Sequence, residues 1–362
     1  MKISKLKVAG FRNLTESEIK PNEHLNILFG PNGSGKTNLC ESIHFVSTGN
    51  NLKGNRQQEL INWDSDDALI KLNLSTDDQI IVYLKRGEQK QVRYNSNPKT
   101  QSKLRKLFAT YTFIPEDLYL SKGSPQRRRT MINDQLTLLD GDYKQTLTKY
   151  NDELKKKNNL LKKDEINVEF LTVLNTRLSE LGAEIIVSRM RYLKRLNNTL
   201  PKTYQEFSST DHKLTLNYSD QRYSNKTCEE IKAMLGEELE EKYEKEREIE
   251  TTIVGPHRDK FLFNLQGRNL RKYGSQGEQR TAVISTYFSN IQLYKENEGE
   301  WPILIFDDIL SELDTNRGNA LLNNIPTEPQ RFMTTATRNP AFKKLSGEFS
   351  VFQLTGGTIK EK

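Results

Sequence analysis

The chain has 362 residues, 34% of them hydrophobic and 28% charged, with a formal net charge of +7 and a mean hydropathy of −0.76. That length fits about two domains, the low apolar content points to much exposed helix, and no run approaches the roughly 18 apolar residues that span a membrane. The two cysteines, Cys40 and Cys228, are far apart and in no metal-ligand spacing, so a reduced, cytoplasmic setting is the expectation.

Residues 1–46 read as strand, turn, strand, glycine loop, helix. Met1–Leu6 alternates as a strand does and lacks the apolar core of a signal peptide. Leu25–Phe29 is an apolar run of strand length, and Leu39, Ile43 and Val46 recur at helical spacing. Between them stands Gly30-Pro31-Asn32-Gly33-Ser34-Gly35-Lys36-Thr37, which fits G-x-x-x-x-G-K-[ST] at every fixed position. Its glycines let the backbone close around a triphosphate, with successive N–H groups and the helix start turned towards it. Lys36 is expected on the β- and γ-phosphates, and the Thr37 hydroxyl on Mg²⁺. The ligands expected are therefore ATP and Mg²⁺.

Ala68–Leu74, Gln79–Leu84 and Gln91–Tyr94 alternate apolar and polar, which suggests an antiparallel meander. Tyr111–Ile114 is a further strand, stopped by Pro115. From about 122 to 200 the pattern is long, polar and helical, with Pro201 expected to end the run. Charge is uneven here: residues 122–202 hold 17 Lys/Arg against 10 Asp/Glu, whereas residues 203–250 hold 7 against 13. That asymmetry favours a polyanion-facing edge. Its candidate polyanion contacts are Lys122, Arg127, Arg128, Arg129, the run Lys155-Lys156-Lys157, and Lys162-Lys163. A solvated helix face, or pairing of Arg127–Arg129 with Glu116 or Asp117, is the plainer alternative. No base-reading motif is present, so a nucleic-acid partner, if the polyanion is one, is expected to be held by its phosphates.

From Thr251 strands and helices alternate again. Ile303-Leu304-Ile305-Phe306 runs into Asp307-Asp308, an acid delivered at the carboxyl end of a buried strand, the usual partner of a phosphate loop. Asp307 is expected to hold Mg²⁺, and Asp308 to orient or deprotonate the attacking water, with Lys36 completing the catalytic set. Upstream, Gly274-Ser275-Gln276-Gly277-Glu278-Gln279 is a turn that caps a helix, free to meet an anion. Ser-x-Gly-x-Gln some thirty residues before such an acid follows the order of ABC-type ATPases.

These segments together resemble the RecF family of bacterial DNA repair proteins, ABC/SMC-like ATPases, nearly end to end. The resemblance rests on Gly30–Asn38, on Pro115-Glu116-Asp117-Leu118 with Gly123–Arg129, and on Gly255-Pro256-His257-Arg258-Asp259. Gly274–Gly277 and Asp307-Asp308 leading into Ser311-Glu312-Leu313-Asp314 complete it. It implies an α/β ABC-type ATPase head, a mixed sheet with flanking helices, interrupted by a mainly helical second domain. The expected divisions are 1–120 and 251–362 for the head and 121–250 for the insertion.

The nucleotide set expected from motif and resemblance is Arg12, Gly30, Pro31, Asn32, Gly33, Ser34, Gly35, Lys36, Thr37 and Asn38, with Ser275, Gln276 and Gly277 docking on the γ-phosphate of a second subunit. The resemblance further implies ATP-driven head-to-head dimers, binding of double-stranded DNA near single-strand gaps, slow hydrolysis, and work with RecR and RecO to load recombinase. A transporter cassette and a non-hydrolysing scaffold are the alternatives. Glu278 departs from the glutamine expected in the signature turn, and Thr337 stands where transporters carry a switch histidine. His257, between Pro256 and Arg258, reads as a structural or interface residue rather than a base.

Overall fold

The computed structural model describes residues 1–52, 57–336 and 348–361. Two compact units emerge. The first comprises Met1–Leu118, Glu206–Ser208 and Ile291–Lys362, and the second Tyr119–Gln205 and Ser209–Asn290.

In the first unit the meander forms as its alternation predicts. Asp67–Leu74, Gln79–Lys85 and Gln91–Tyr94 pair antiparallel in sequence order, and Ile3–Phe11 joins Asp67–Leu74 on the other side. With Leu14–Ile19 and Asn97–Pro98 this makes a six-stranded sheet. A second six-stranded sheet runs Thr358–Glu361, Phe349–Thr355, Leu25–Phe29, Arg331–Thr335, Ile303–Phe306, Thr110–Phe113. All neighbours in it are parallel except the first pair. Its central strands are buried along their length rather than alternately, as strands covered on both faces must be.

Helix Lys36–Thr48 buries Leu39, Cys40, Ile43, Phe45 and Val46 in one core with Leu6, Val8 and Ile70 of the first sheet and Ile305, Phe332 and Phe352 of the second. Apolar residues on more than one side of this helix let it contact strands of both sheets.

The second unit contains helices Pro125–Leu139, Gly141–Leu161 and Cys228–Glu241, most of Val168–Ser208, and the three-stranded sheet Arg268–Asn269, Phe261–Leu265, Leu214–Tyr218. Residues 251–290 cluster here, because Phe261–Leu265 pairs with Leu214–Tyr218. Pro201 does not end the long helix, which runs through it to Ser208. One lost backbone hydrogen bond is outweighed by Leu196, Leu200 and Tyr204, buried at successive i, i+4 positions on either side of the proline. Residues 228–248 form two helices, Cys228–Glu241 and Tyr243–Glu248, which meet at Lys242.

A buried polar cluster organises this unit. Arg189 pairs with Asp259 at 2.6 Å and also donates to the Pro256 carbonyl, Asn133 and Tyr143. Tyr218 donates to the same Asp259 carboxylate at 3.0 Å. Gly255 must be glycine, since a Cβ there would lie 2.3 Å from the Tyr150 hydroxyl and φ is +122°.

Candidate nucleotide and nucleic-acid sites

Leu25–Phe29 and Ile303–Phe306 flank Arg331–Thr335 in the sheet, so the phosphate loop and the acid pair leave the carboxyl ends of strands with one strand between them. Open parallel sheets bind ligands at that edge. The loop closes tightly: a Cβ at Gly30 would lie 2.3 Å from the Leu354 carbonyl oxygen, and one at Gly35, where φ is +104°, 2.8 Å from the Leu14 side chain. Lys36 folds over the loop, its ammonium donating to the carbonyls of Gly30 at 2.7 Å and Pro31 at 2.9 Å. Burial lowers its pKa, opposed by the charges of Asp308 and Asp307.

Thr37 donates to Asp307 Oδ1 at 2.9 Å. Two hard oxygen donors side by side fit Mg²⁺, which takes one or two protein oxygens and completes its shell from phosphates and water. No cluster of three or more His, Cys, Asp or Glu able to cage a metal occurs among the described residues. The Ser34 hydroxyl is buried in the loop without a hydrogen-bond partner there, which fits a loop built for phosphate oxygens. Burial raises the pKa of Asp307, countered by the hydroxyls of Thr334 and Thr37. Burial also raises that of Asp308, countered by Ser311 and Lys36.

Three residues that sequence reading missed support this set. Thr334, on the intervening strand, donates to Asp307 Oδ1 at 2.7 Å and accepts the Asp308 N–H at 2.8 Å. Asn13 donates to the Gly33 carbonyl at 2.7 Å and accepts from Asn38 at 2.7 Å, clasping the loop. Glu41, buried on the loop's helix, takes Arg12 in a two-pronged ion pair of 3.0 and 3.1 Å. The motif Phe11-Arg12-Asn13 beside a strand end was the available signal for Asn13. Arg12, at φ +54°, thus meets Glu41. Thr337 lies outside the described residues.

The signature turn lies in the second unit. Ser275 Oγ accepts from the Glu278 N–H at 3.2 Å and the Glu278 carboxylate accepts from the Ser275 N–H at 2.8 Å. This reciprocal cap explains the glutamate: it closes the box that starts the helix. Gln279, buried, donates to the Gly274 carbonyl at 2.7 Å, while Ser275 and Gln276 stay exposed.

His257 is held by the Tyr150 hydroxyl at 2.7 Å and the Thr252 carbonyl at 3.0 Å. Burial pushes its pKa down to about 4.

Two of the nine cations offered for DNA are corrected. Arg128 is buried, its guanidinium donating to the carbonyls of Leu120, Ser121 and Gly123. Lys157 is fully buried against Glu246 at 2.7 Å. Both charges are buried, where neither can reach a phosphate. Arg129 is half-buried and donates to the Asp259 carbonyl and Gln126. Lys122, Arg127, Lys155, Lys156, Lys162 and Lys163 are exposed.

Fold and site define an ATPase head of the ABC/SMC kind. Residues 2–360 match the RecF/RecN/SMC N terminal domain. The chain is 36% identical over its full length to the whole DNA replication and repair protein RecF of Clostridium acetobutylicum, and 32% identical to that of Ligilactobacillus salivarius, 98% of which is covered. A solved structure of the recombination mediator protein RecF with ATP, from the RecFOR pathway, superposes with a TM-score of 0.90 at 29% identity, covering 100% of this chain and 97% of that one. An Smc head bound to the C-winged helix domain of ScpA, at 15% identity and a TM-score of 0.58, shares the fold. The chain belongs to the RecF family. No described helix is long and apolar enough to cross a membrane.

Proposed function

We propose that the protein is an ATP-dependent DNA clamp of recombinational repair. It binds ATP with Mg²⁺, dimerises head to head around the nucleotide, holds duplex DNA near single-strand gaps, and hydrolyses ATP slowly to let go. Its partners in this reading are RecR and RecO, with which it acts to load recombinase. The observation that carries the reading is the convergence of Lys36, Thr37, Asp307 and Asp308 at the carboxyl ends of strands from opposite ends of the sequence.

Lys36 supplies positive charge to the β- and γ-phosphates, and Thr37 and Asp307 would hold Mg²⁺, which when bound neutralises the phosphate oxygens. Asp308, half-buried and with a raised pKa, orients or takes the proton of the attacking water. Ser275 and Gln276, exposed at a helix start, and the half-buried Gly277 beside them cap the γ-phosphate held by the partner subunit. The formal charge of +7 is diffuse on one chain, and pairing two chains on one duplex concentrates it.

Sedimentation with a slowly hydrolysed ATP analogue, and phosphate release with and without DNA, test this together. Expected are ATP-dependent dimers, and DNA binding that is tighter with ATP. Equal DNA affinity with and without ATP would exclude the clamp. ATP-dependent dimers without phosphate release would leave a scaffold.

A further inference from the structure

Phe261–Leu265 and Arg268–Asn269 are joined by the two-residue turn Gln266-Gly267, both at positive φ (+52° and +75°), the geometry that matches strand twist. The chain then makes one helical turn, Leu270–Tyr273. Leu270 is buried beneath it, and the Leu270 and Gly274 carbonyls both accept from the buried Gln279 side chain. Asn269 accepts from the Arg271 N–H at 3.0 Å. The backbone of this segment is therefore fixed.

Arg268, Arg271, Lys272 and Tyr273 are all exposed, Tyr273 to 73%, and no Asp or Glu occurs between Phe263 and Gly277. Elsewhere surface cations alternate with acids, as in Lys5–Glu18, Lys7–Glu16 and Lys85–Glu88. Among the described residues, the side chains of Arg268, Arg271 and Lys272 make no such pair. Buried Arg128 adds charge nearby: its guanidinium donates to carbonyls while its Nε has no partner, and its pKa is lowered by burial and then by the like charge of Arg271. Three unneutralised cations and a presented aromatic ring, on a rigid backbone, suit a phosphodiester chain with an accessible base. Such a ring finds no use on a fully stacked duplex.

We propose that Arg268, Arg271, Lys272 and Tyr273 form a DNA contact, the three cations on the sugar–phosphate backbone and the Tyr273 ring on an unpaired base at the edge of a gap. The proposal rests on the DNA-binding reading above. The partner subunit's ATP offers the same phosphate chemistry two residues from Ser275, and the test separates the two.

Binding of a fluorescent gapped duplex and of its fully paired counterpart is titrated against salt, with a slowly hydrolysed ATP analogue present. Arg268→Gln/Arg271→Gln/Lys272→Gln is expected to lower the slope of log K against log salt by about 2 to 3, at roughly 0.9 per phosphate. Tyr273→Ala should weaken the gapped duplex about tenfold more than the paired one, and Tyr273→Phe should restore it. ATP binding and ATP-induced dimerisation stay at wild-type level in all three. A wild-type slope in the triple variant overturns the contact while leaving the clamp intact. So does a triple variant that loses ATP-induced dimerisation but keeps its DNA slope, since its cations then serve the triphosphate. If the wild-type protein binds neither DNA, the clamp reading fails as well.

Discussion

Thr334 Oγ1 lies 2.7 Å from Asp307 Oδ1 and 2.8 Å from the Asp308 backbone nitrogen, so one buried hydroxyl fixes both acids at once. It donates to the first carboxylate and accepts from the second residue's N–H. Asp308 needs that support, because it sits at φ +47°, a conformation non-glycine residues seldom adopt. Thr334→Val keeps the shape and removes both contacts. A hydrogen bond to a charged group contributes about 1.5–3 kcal/mol, so turnover should fall at least tenfold. Thr334→Ser should recover most of it. Wild-type turnover in the valine variant would make Thr334 mere packing.

Lys36→Met removes the charge from the loop at nearly constant volume. ATP affinity or turnover is expected to drop at least about tenfold, from the loss of a charge-assisted contact of about 1.5–3 kcal/mol. Equilibrium binding of a fluorescent ATP analogue measures it. Unchanged binding and turnover would mean that the loop does not hold phosphate.

Asp308→Asn retains shape and loses the base. ATP binding should persist, hydrolysis slow by about a hundredfold or more, and the ATP-bound dimer live longer in sedimentation. Turnover at the wild-type rate would move the role to Glu312 or Asp314.

Ser275→Arg should block ATP-induced dimerisation while the single subunit still binds ATP. The Ser275–Glu278 cap makes a control possible: Ser275→Asp restores an N-cap acceptor but brings negative charge to the γ-phosphate. Helix stability, read by thermal unfolding, should recover in Ser275→Asp while dimerisation stays lost. Normal dimers in both variants would reduce the turn to a helix cap.

Protonation tests His257 as a structural residue. Its pKa falls from the ordinary 6.5 to about 4 on folding, so between those values the unfolded chain binds a proton that the folded chain does not. Stability is therefore full above pH 6.5 and falls as the pH drops towards 4, by about 3 kcal/mol at most from this group. Thermal unfolding of wild type should weaken more steeply from pH 7 to pH 5 than that of His257→Gln, which keeps partners for Tyr150 and Thr252. Identical slopes would show that His257 does not couple to folding.

Much of the head was legible before any coordinates. The phosphate loop and Asp307-Asp308 are local patterns in which residue order itself encodes the chemistry. The meander of 68–94 follows from strict alternation, and buried strands such as Ile303–Phe306 from unbroken apolar runs. What sequence order could not supply was adjacency between distant residues. Thr334 is an ordinary threonine until the sheet inserts its strand between the loop strand and the acid strand, and Glu41 an ordinary helix acid until Arg12 turns back onto it.

The cations proposed to meet DNA show the same division most sharply. Counting charge located a basic stretch correctly by composition, yet charge runs do not say which side of a helix is buried. Folding places Arg128 against three carbonyls and Lys157 against Glu246, and leaves Arg268, Arg271 and Lys272 in water. The sequence by itself determined the nucleotide chemistry, because that chemistry is written in consecutive residues. Tertiary structure alone decided which cations stay exposed, because burial and pairing depend on how the chain folds back, onto carbonyls a few residues upstream at Arg128 and onto the distant Glu246 at Lys157.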